Sequence, residues 1–303
     1  MKIARVFTLC LWVGGMFCLH QGAAFSEIAP DKPTKSTFTL WQLPSQIDTI
    51  GMSYVIRTTG GKIIVVDGGI ASESSYLKAF LERLGNNVEA WFISHPHDDH
   101  IDALKGILLN PGNIKIKKIY ASLPDAAWVV QYEPDYLKTL QQFNVALRDS
   151  HHIITNLKLG STIEIAGVRV EVLGVANPEI HTNAINNSSV VLRMSDSRKS
   201  VLFLGDLGVE GGEKLLHTKY RNKIHADYVQ MAHHGQNGVD EAFYQAVQPS
   251  YCLWPTPHWL WNNDSGKGKN SGPWRTLEVR AWMDKLHIKH HYVSSVDGLC
   301  RID

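Results

Sequence analysis

The sequence predicts an α/β protein made of two mixed β-sheets with helices on their outer faces. Three observations predict it. Short strands come in pairs joined by tight turns in both halves of the chain, amphipathic helical segments alternate with those pairs, and 303 residues at 44% hydrophobic supply enough apolar surface for one large core. Neither a Pro/Gly/Ser-rich linker nor a repeat divides the chain.

The elements follow in order. Thr37 to Gln42 and Met52 to Thr58 alternate with the strand period, and Gly60-Gly61 turns the chain into a strand over Lys62 to Asp67. Asp67-Gly68-Gly69 ends that strand, Ser75 to Leu84 has helical spacing, and Val88 to Ile93 is a short apolar strand. Helical spacing resumes at Ile101. The middle carries a strand at Ile116 to Ala121, a helix at Asp135 to Leu147, and strands at Thr162 to Ile165 and Val168 to Val175 around Ala166-Gly167. Ser188 to Met194 and Ser200 to Leu204 read as a hairpin ending in Gly205-Asp206. After it come a helix at Glu210 to Leu216, a strand at Asp227 to Met231, a helix at Asp240 to Val247 and a strand at Tyr251 to Pro255. A Trp- and Gly-rich loop, a helix at Thr276 to Leu286 and a strand at His290 to Ser294 close the chain.

Residues 1–24 read as a secretory signal: Lys2 and Arg5 precede an apolar run from Val6 to Cys18, and Gly22-Ala23-Ala24 offers small residues for cleavage. The run is too short to span a bilayer comfortably, so no stable membrane span is expected after processing. The expectation is an exported protein, periplasmic or secreted, with a single domain over residues 25–303. Loss of the signal removes two bases and no acid, moving the net charge from +1 to −1. A near-neutral chain carries no nucleic-acid footprint in its totals. Cys10 and Cys18 fall inside the signal. Cys252 and Cys300 remain, as a disulfide that an oxidising compartment permits or as two buried thiols.

The chemistry is concentrated in His95-Pro96-His97-Asp98-Asp99-His100, at the end of a strand. Imidazoles and carboxylates at this density suit zinc-like ions. A strand-to-loop turn lets His95 and His97 converge on one ion while Asp99 and His100 face a second. The histidines at 151, 152, 217, 225, 287, 290 and 291 have no carboxylate partner nearby in sequence and read as solvated or structural.

With its HxHxDH run at His95, His97, Asp99 and His100, the chain resembles the metallo-β-lactamase superfamily. The resemblance extends to Asp67-Gly68-Gly69, the strand-end Asp206 and the pair His233-His234, in the family's order. It implies a four-layer αββα sandwich, an Asp206 that bridges two metals, and a late histidine that completes the second site. The segments Asn187 to Leu192, Phe203 to Asp206 and Ala232 to Gly235 are most similar to the DNA-uptake competence nuclease branch, and also to phosphorylcholine esterases of bacterial cell surfaces. Both cleave phosphate esters. The third histidine of the family's first metal is matched by His181, with Asn186 and Asn187 behind it. Strand alternation would let only one of His233 and His234 bind metal; similarity to the esterases selects His234, with His233 as proton donor or phosphate contact, and exchange of the two roles is the alternative.

These residues imply a hydrolase with two ions, zinc first and manganese or iron as alternatives. Water activated by the metals attacks, and Asp99 both binds and orients. Asp67 is expected behind a histidine as an outer partner. His258, Trp259 and Trp261, in the loop after a late strand, are candidate substrate contacts. The expected substrate is a small or envelope-polymer phosphoester. Nucleic acid is possible but less favoured, and a lactone, thioester or β-lactam is the rival bond. A metal-binding module without turnover is the reading from a different class. Neither a nucleotide-binding Gly-rich loop nor a Ser-centred elbow competes with the histidine motif.

Overall fold

The computed structural model describes residues 35–303, so the segment read as a secretory signal lies outside the described residues. These described residues form one compact unit. Strands β1 (Phe38–Gln42), β2 (Ser53–Thr58), β3 (Ile63–Asp67), β4 (Asn87–Phe92), β5 (Lys115–Ile116), β6 (Ile119–Ala121) and β7 (Ile154–Asn156) build the first sheet. Strands β8 (Thr162–Ile165), β9 (Val168–Gly174), β10 (Val191–Ser195), β11 (Ser200–Phe203), β12 (Tyr228–Gln230), β13 (Tyr251–Trp254) and β14 (His290–Val293) build the second. A last strand, β15 (Cys300–Ile302), returns to pair antiparallel with β1 at the edge of the first sheet. Each sheet is antiparallel on one side and parallel on the other, the change falling at β3 and at β11.

Both faces of both sheets are covered, which explains why β3 is apolar on both faces from Ile63 to Val66 rather than alternating. Along β2 and β3, Tyr54, Ile56, Ile64 and Val66 point between the sheets, where they meet Val170, Val172, Leu192, Met194 and Phe203 of the second sheet. Their neighbours Val55, Ile63 and Val65 point outward. They pack under α1 (Ser74–Leu84), α2 (Asp98–Leu109) and a later helix, Leu137–Asp149, through Leu77, Leu81, Ile101, Leu104, Phe143 and Leu147. On the far side α6 (Val209–Leu216), α7 (Glu241–Val247) and α9 (Thr276–Lys285) cover the second sheet through Leu215, Phe243, Tyr244, Val279, Trp282 and Met283. Each fully buried aliphatic or aromatic side chain contributes roughly 1.5–3 kcal/mol. The layers are therefore αββα, as the resemblance implied.

Several short elements were not expected from the pattern. β7 and β15 have three residues each, too few to show a period. Helix α3 (Ala126–Tyr132) begins at Asp125, whose carboxylate accepts from Trp128 N–H at 2.8 Å, and it packs Val129 against Leu140 and Ile185. The helix expected over Asp135 to Leu147 is α4, Leu137–Asp149, entered through a 3-10 turn at Pro134–Tyr136. Two further short helices, α5 (Ala184–Asn187) and α8 (His258–Trp261), lie in the loops after β9 and β13. Cys252 and Cys300 are both free and buried, so the disulfide alternative does not hold.

Candidate metal centre

The centre lies where β4, β11 and β12 deliver their carboxyl ends. After β4 the chain stays extended through His97 (φ −78°, ψ 153°) and then enters α2, so Asp99 and His100 occupy the first turn of a helix rather than a loop. Gly205, at φ 55°, turns the end of β11 so that Asp206 faces the motif. A Cβ there would meet Ser94 Cβ at 2.7 Å and Ser189 Oγ at 2.8 Å, so only glycine lets these segments close. After β12 the backbone is not a strand. His233 and His234 both take left-handed conformations, φ 52° and 56°, in a 3-10 turn at Ala232–Gly235. It is this strained turn, not strand alternation, that separates the two histidines.

Two sets of donors result. His95, His97 and Asp206 form one; Asp99, His100, Asp206 and His234 form the other; within each set the donor atoms all lie within 4.8 Å of one another. Asp206 belongs to both. His234 Nε2 is 2.8 Å from Asp99 Oδ2 and 3.4 Å from Asp206 Oδ2, while His100 Nε2 is 3.3 Å from Asp206 Oδ1 and 3.5 Å from Asp99 Oδ2. His95 Nε2 is 3.9 Å from Asp206 Oδ2. Each of these side chains is buried. The Nε2 atoms of His95, His97, His100 and His234, with Asp206 Oδ1, have no aligned hydrogen-bond partner. Buried polar atoms are otherwise almost always satisfied, so five orphans converging from separate segments fit a pair of divalent cations.

The opposite ring nitrogens are engaged. His100 Nδ1 donates to Asp67 Oδ2 at 2.8 Å, and Asp67 also accepts from Ser94 N–H and Ser94 Oγ–H, both at 2.7 Å. Ser94 gives its proton to Asp67, so its oxygen accepts from His95 Nδ1 at 3.0 Å. Ser189 Oγ, 3.2 Å from the same nitrogen, accepts from Asp206 N–H. His234 Nδ1 donates to the Pro255 carbonyl at 3.0 Å. Fixing the proton on Nδ1 leaves the Nε2 lone pair aimed at the centre, the usual arrangement behind metal-binding histidines.

Charge tells the same story. Burial opposes a charged His234, but Asp206 and Asp99 outweigh it and push the ring up to about 10. Burial likewise opposes His100, yet Asp206, Asp99 and Asp67 raise it well above the ordinary histidine range. Burial would raise Asp99 and Asp206; the two cationic histidines hold both well below the carboxylate range. His95 is pushed well down by burial and by His100 and His97. In the metal-free protein two protons thus stand where cations would, and below those raised values metal must displace them. Loading near pH 7 is expected to release about two protons per chain, with affinity rising as pH rises. Calorimetry in buffers of different ionisation enthalpy checks this, and buffer-independent heats would contradict it.

The remaining expected residues fall elsewhere. His233 stands at the rim, its side chain 18% exposed and its Nε2 3.8 Å from Asp206 Oδ2, in neither donor set. His181 is exposed and lies outside both sets, its ring stacked on Tyr132 at 4.0 Å. Its loop is drawn over α3 by the bond from Trp128 Nε1 to the Pro178 carbonyl. Asn186 and Asn187 are buried behind it. His258 is exposed, and its backbone N–H binds Asp48 Oδ1 at 2.7 Å, in the same loop whose Met52 N–H binds the Asp99 carbonyl. Trp259 packs on Trp274. Trp261, half-buried, makes a T-shaped contact with buried Trp254, and the Arg280 guanidinium lies 4.0 Å from its ring centroid. Two residues beside the centre were not singled out from sequence: Tyr136, stacked on His97 at 3.9 Å, and Glu133, whose Oε2 is 3.5 Å from His97 Nε2. No local pattern marks them, because they reach His97 across tens of residues. A cavity of about 1030 Å³ lies at the other end of the strands, among Arg57, Thr58, Lys199, Tyr228 and Arg301, and shares no residue with either donor set.

An αββα sandwich carrying a shared aspartate between two histidine-rich donor sets defines a candidate dinuclear metal protein. The chain belongs to the metallo-β-lactamase superfamily, whose sequence model matches residues 47–234. It is 30% identical over 213 residues to ComE operon protein 3 of Bacillus subtilis, covering 64% of this chain and 25% of that protein. It is 25% identical over 263 residues to Recombination protein 2 of Haemophilus influenzae, covering 84% of this chain and 27% of that one. The chain thus spans about a quarter of the length of these relatives. This weak homology agrees with the competence branch that the motifs resemble. Among solved structures it is similar to the metallo-beta-lactamase fold protein YhfI from Bacillus subtilis, with a TM-score of 0.53, 12% identity, and coverage of 88% of this chain and 99% of that one. It is also similar to CmlA, a diiron beta-hydroxylase from Streptomyces venezuelae, with a TM-score of 0.53, 14% identity, and coverage of 89% and 55%. At those identities the likeness shows the fold alone.

Proposed function

We propose that the chain is an exported, metal-dependent hydrolase that cleaves a phosphodiester with water. The observation that carries this reading is the pair of donor sets joined by Asp206, with their Nε2 atoms otherwise unpartnered. His95, His97 and Asp206 would hold one ion, and Asp99, His100, Asp206 and His234 the other; zinc suits the histidine-rich donors. When bound, such a pair acidifies water and polarises a phosphoryl oxygen. Asp99, at the start of α2 and bonded through its carbonyl to Met52 N–H, orients the attacking group. His233 is lowered by burial, so at neutral pH it is uncharged and offers a ring N–H to a phosphoryl or leaving oxygen. Trp259 and Trp261, beside the exposed His258, are the aromatic residues of the late loop that would meet a substrate group.

Export is supported by the Lys2/Arg5 start and short apolar run, and no helix among the described residues is long and apolar enough to cross a membrane. The near-neutral charge favours a small or envelope-polymer phosphoester. A nucleic-acid substrate is the second reading, favoured by the similarity to ComE operon protein 3 and Recombination protein 2. Purified protein should be assayed on bis-p-nitrophenyl phosphate, p-nitrophenyl phosphorylcholine, nitrocefin and a simple lactone. The expected result is turnover of the phosphodiesters alone. Turnover of nitrocefin or the lactone without phosphodiester cleavage moves the protein to acyl hydrolysis, and metal binding without any turnover makes it a binding module. Salt-sensitive cleavage of single-stranded DNA without activity on small diesters selects the nucleic-acid reading.

A further inference from the structure

We propose that Glu133 is the carboxylate that completes the first metal position, the place sequence resemblance assigned to His181. The two donor sets are unequal: four residues surround one position and three the other, whereas four donors are usual for zinc. On the poorer side, Glu133 Oε2 stands 3.5 Å from His97 Nε2. Donors about 2.1 Å from a shared ion are separated by roughly 3.0–3.5 Å, so this contact has the spacing of two ligands of one ion. The same spacing recurs between His100 Nε2 and both Asp99 and Asp206 in the richer set.

Three further features support the assignment. Glu133 is aimed: its Oε1 accepts from Ile185 N–H at 3.1 Å, which leaves Oε2 toward His97. The anion has no lysine or arginine partner among the described residues, and its side chain is only 18% exposed. The segment around it is built on His97, with α3 capped by Asp125, Glu133 closing the helix through its N–H to the Val129 carbonyl, and Tyr136 stacked on the imidazole. Oε2 is not within 4.8 Å of the donors of both His95 and Asp206, so the carboxylate comes onto the ion from the His97 side by a turn of its own side chain. His181, exposed and stacked on Tyr132, has no comparable approach. With Glu133 the first position has two nitrogens and two oxygens, an oxygen-richer set that raises the affinity of harder ions such as Mn²⁺ relative to Zn²⁺.

The inference rests on the centre being a metal site, and its test is metal binding rather than turnover. Metal-free protein is titrated with Zn²⁺ and, separately, Mn²⁺ by calorimetry, alongside Glu133→Gln and Glu133→Asp. The glutamine keeps an oxygen for Ile185 N–H and loses only the charge. One of two binding events is expected to weaken by about 10- to 100-fold in E133Q, more for Mn²⁺ than for Zn²⁺. The other should stay within about twofold, the melting temperature of the metal-free protein should not change, and E133D should recover part of the loss. Wild-type affinity for both ions in E133Q overturns the proposal. Equal weakening of both events with a lowered melting temperature also overturns it, in favour of a structural role. A wild-type chain that binds no divalent ion sinks the metal reading itself and this proposal with it.

Discussion

Replacing Asp206 by alanine is expected to remove both ions at once and to lower phosphodiester turnover by about four orders of magnitude. No other residue belongs to both donor sets. Its loss leaves His95 and His97 with only the proposed Glu133 carboxylate beside them, and leaves His100 and His234 with Asp99 alone. The fold should survive, because the buried histidines facing Asp206 can shed their protons when its charge is removed, and its backbone N–H to Ser189 is unaffected by the side chain. Metal content after gel filtration, with kcat/KM on bis-p-nitrophenyl phosphate, checks this. Retention of a tightly held ion with activity within about tenfold of wild type would contradict a shared donor.

His100→Ala should separate the two positions. His100 belongs only to the four-donor set, so one ion is expected to leave while that of His95 and His97 stays, and turnover should fall by at least about three orders of magnitude. A stability cost accompanies it. Asp67 is fully buried, and without His100 its charge is met only by Ser94. Breaking a buried pair from one side costs about 3–5 kcal/mol, so the metal-free variant should melt well below metal-free wild type. The double variant Asp67→Asn/His100→Ala should recover part of the melting temperature but none of the activity. Two retained ions and an unchanged rate in His100→Ala would remove the second position from the account.

These two residues also show what the sequence makes legible. Asp206 and His100 sit in short runs whose residue types and order carry the superfamily's pattern, and the long strands and helices announce themselves by period. The layer order followed from strand pairs and helices in both halves, together with the resemblance those motifs carry. What could not be read lies in contacts made across the fold. His181 was assigned by its place in the order of motifs, whereas its ring stacks on Tyr132 in a loop that Trp128 ties to α3 through the Pro178 carbonyl. Glu133 has no motif of its own and reaches His97 only because α3 ends where it does. The separation of His233 from His234 was anticipated from strand alternation, whereas it arises from two left-handed residues. Gly235 makes that turn possible: at φ 80°, a Cβ there would strike Trp254 at 2.4 Å. Nor does the order of residues in the late loop show that Trp261 meets Trp254 and Arg280 while Trp259 meets Trp274.

The central claim is that two ions, held by the paired donor sets, drive hydrolysis of a phosphodiester. The most direct test is to strip the purified chain with a chelator, add zinc in sub-stoichiometric steps, and follow hydrolysis of bis-p-nitrophenyl phosphate. The account predicts no turnover without metal and activity that levels off at two equivalents per chain. Full activity in the stripped protein, or a plateau at one equivalent with no further gain, would contradict it.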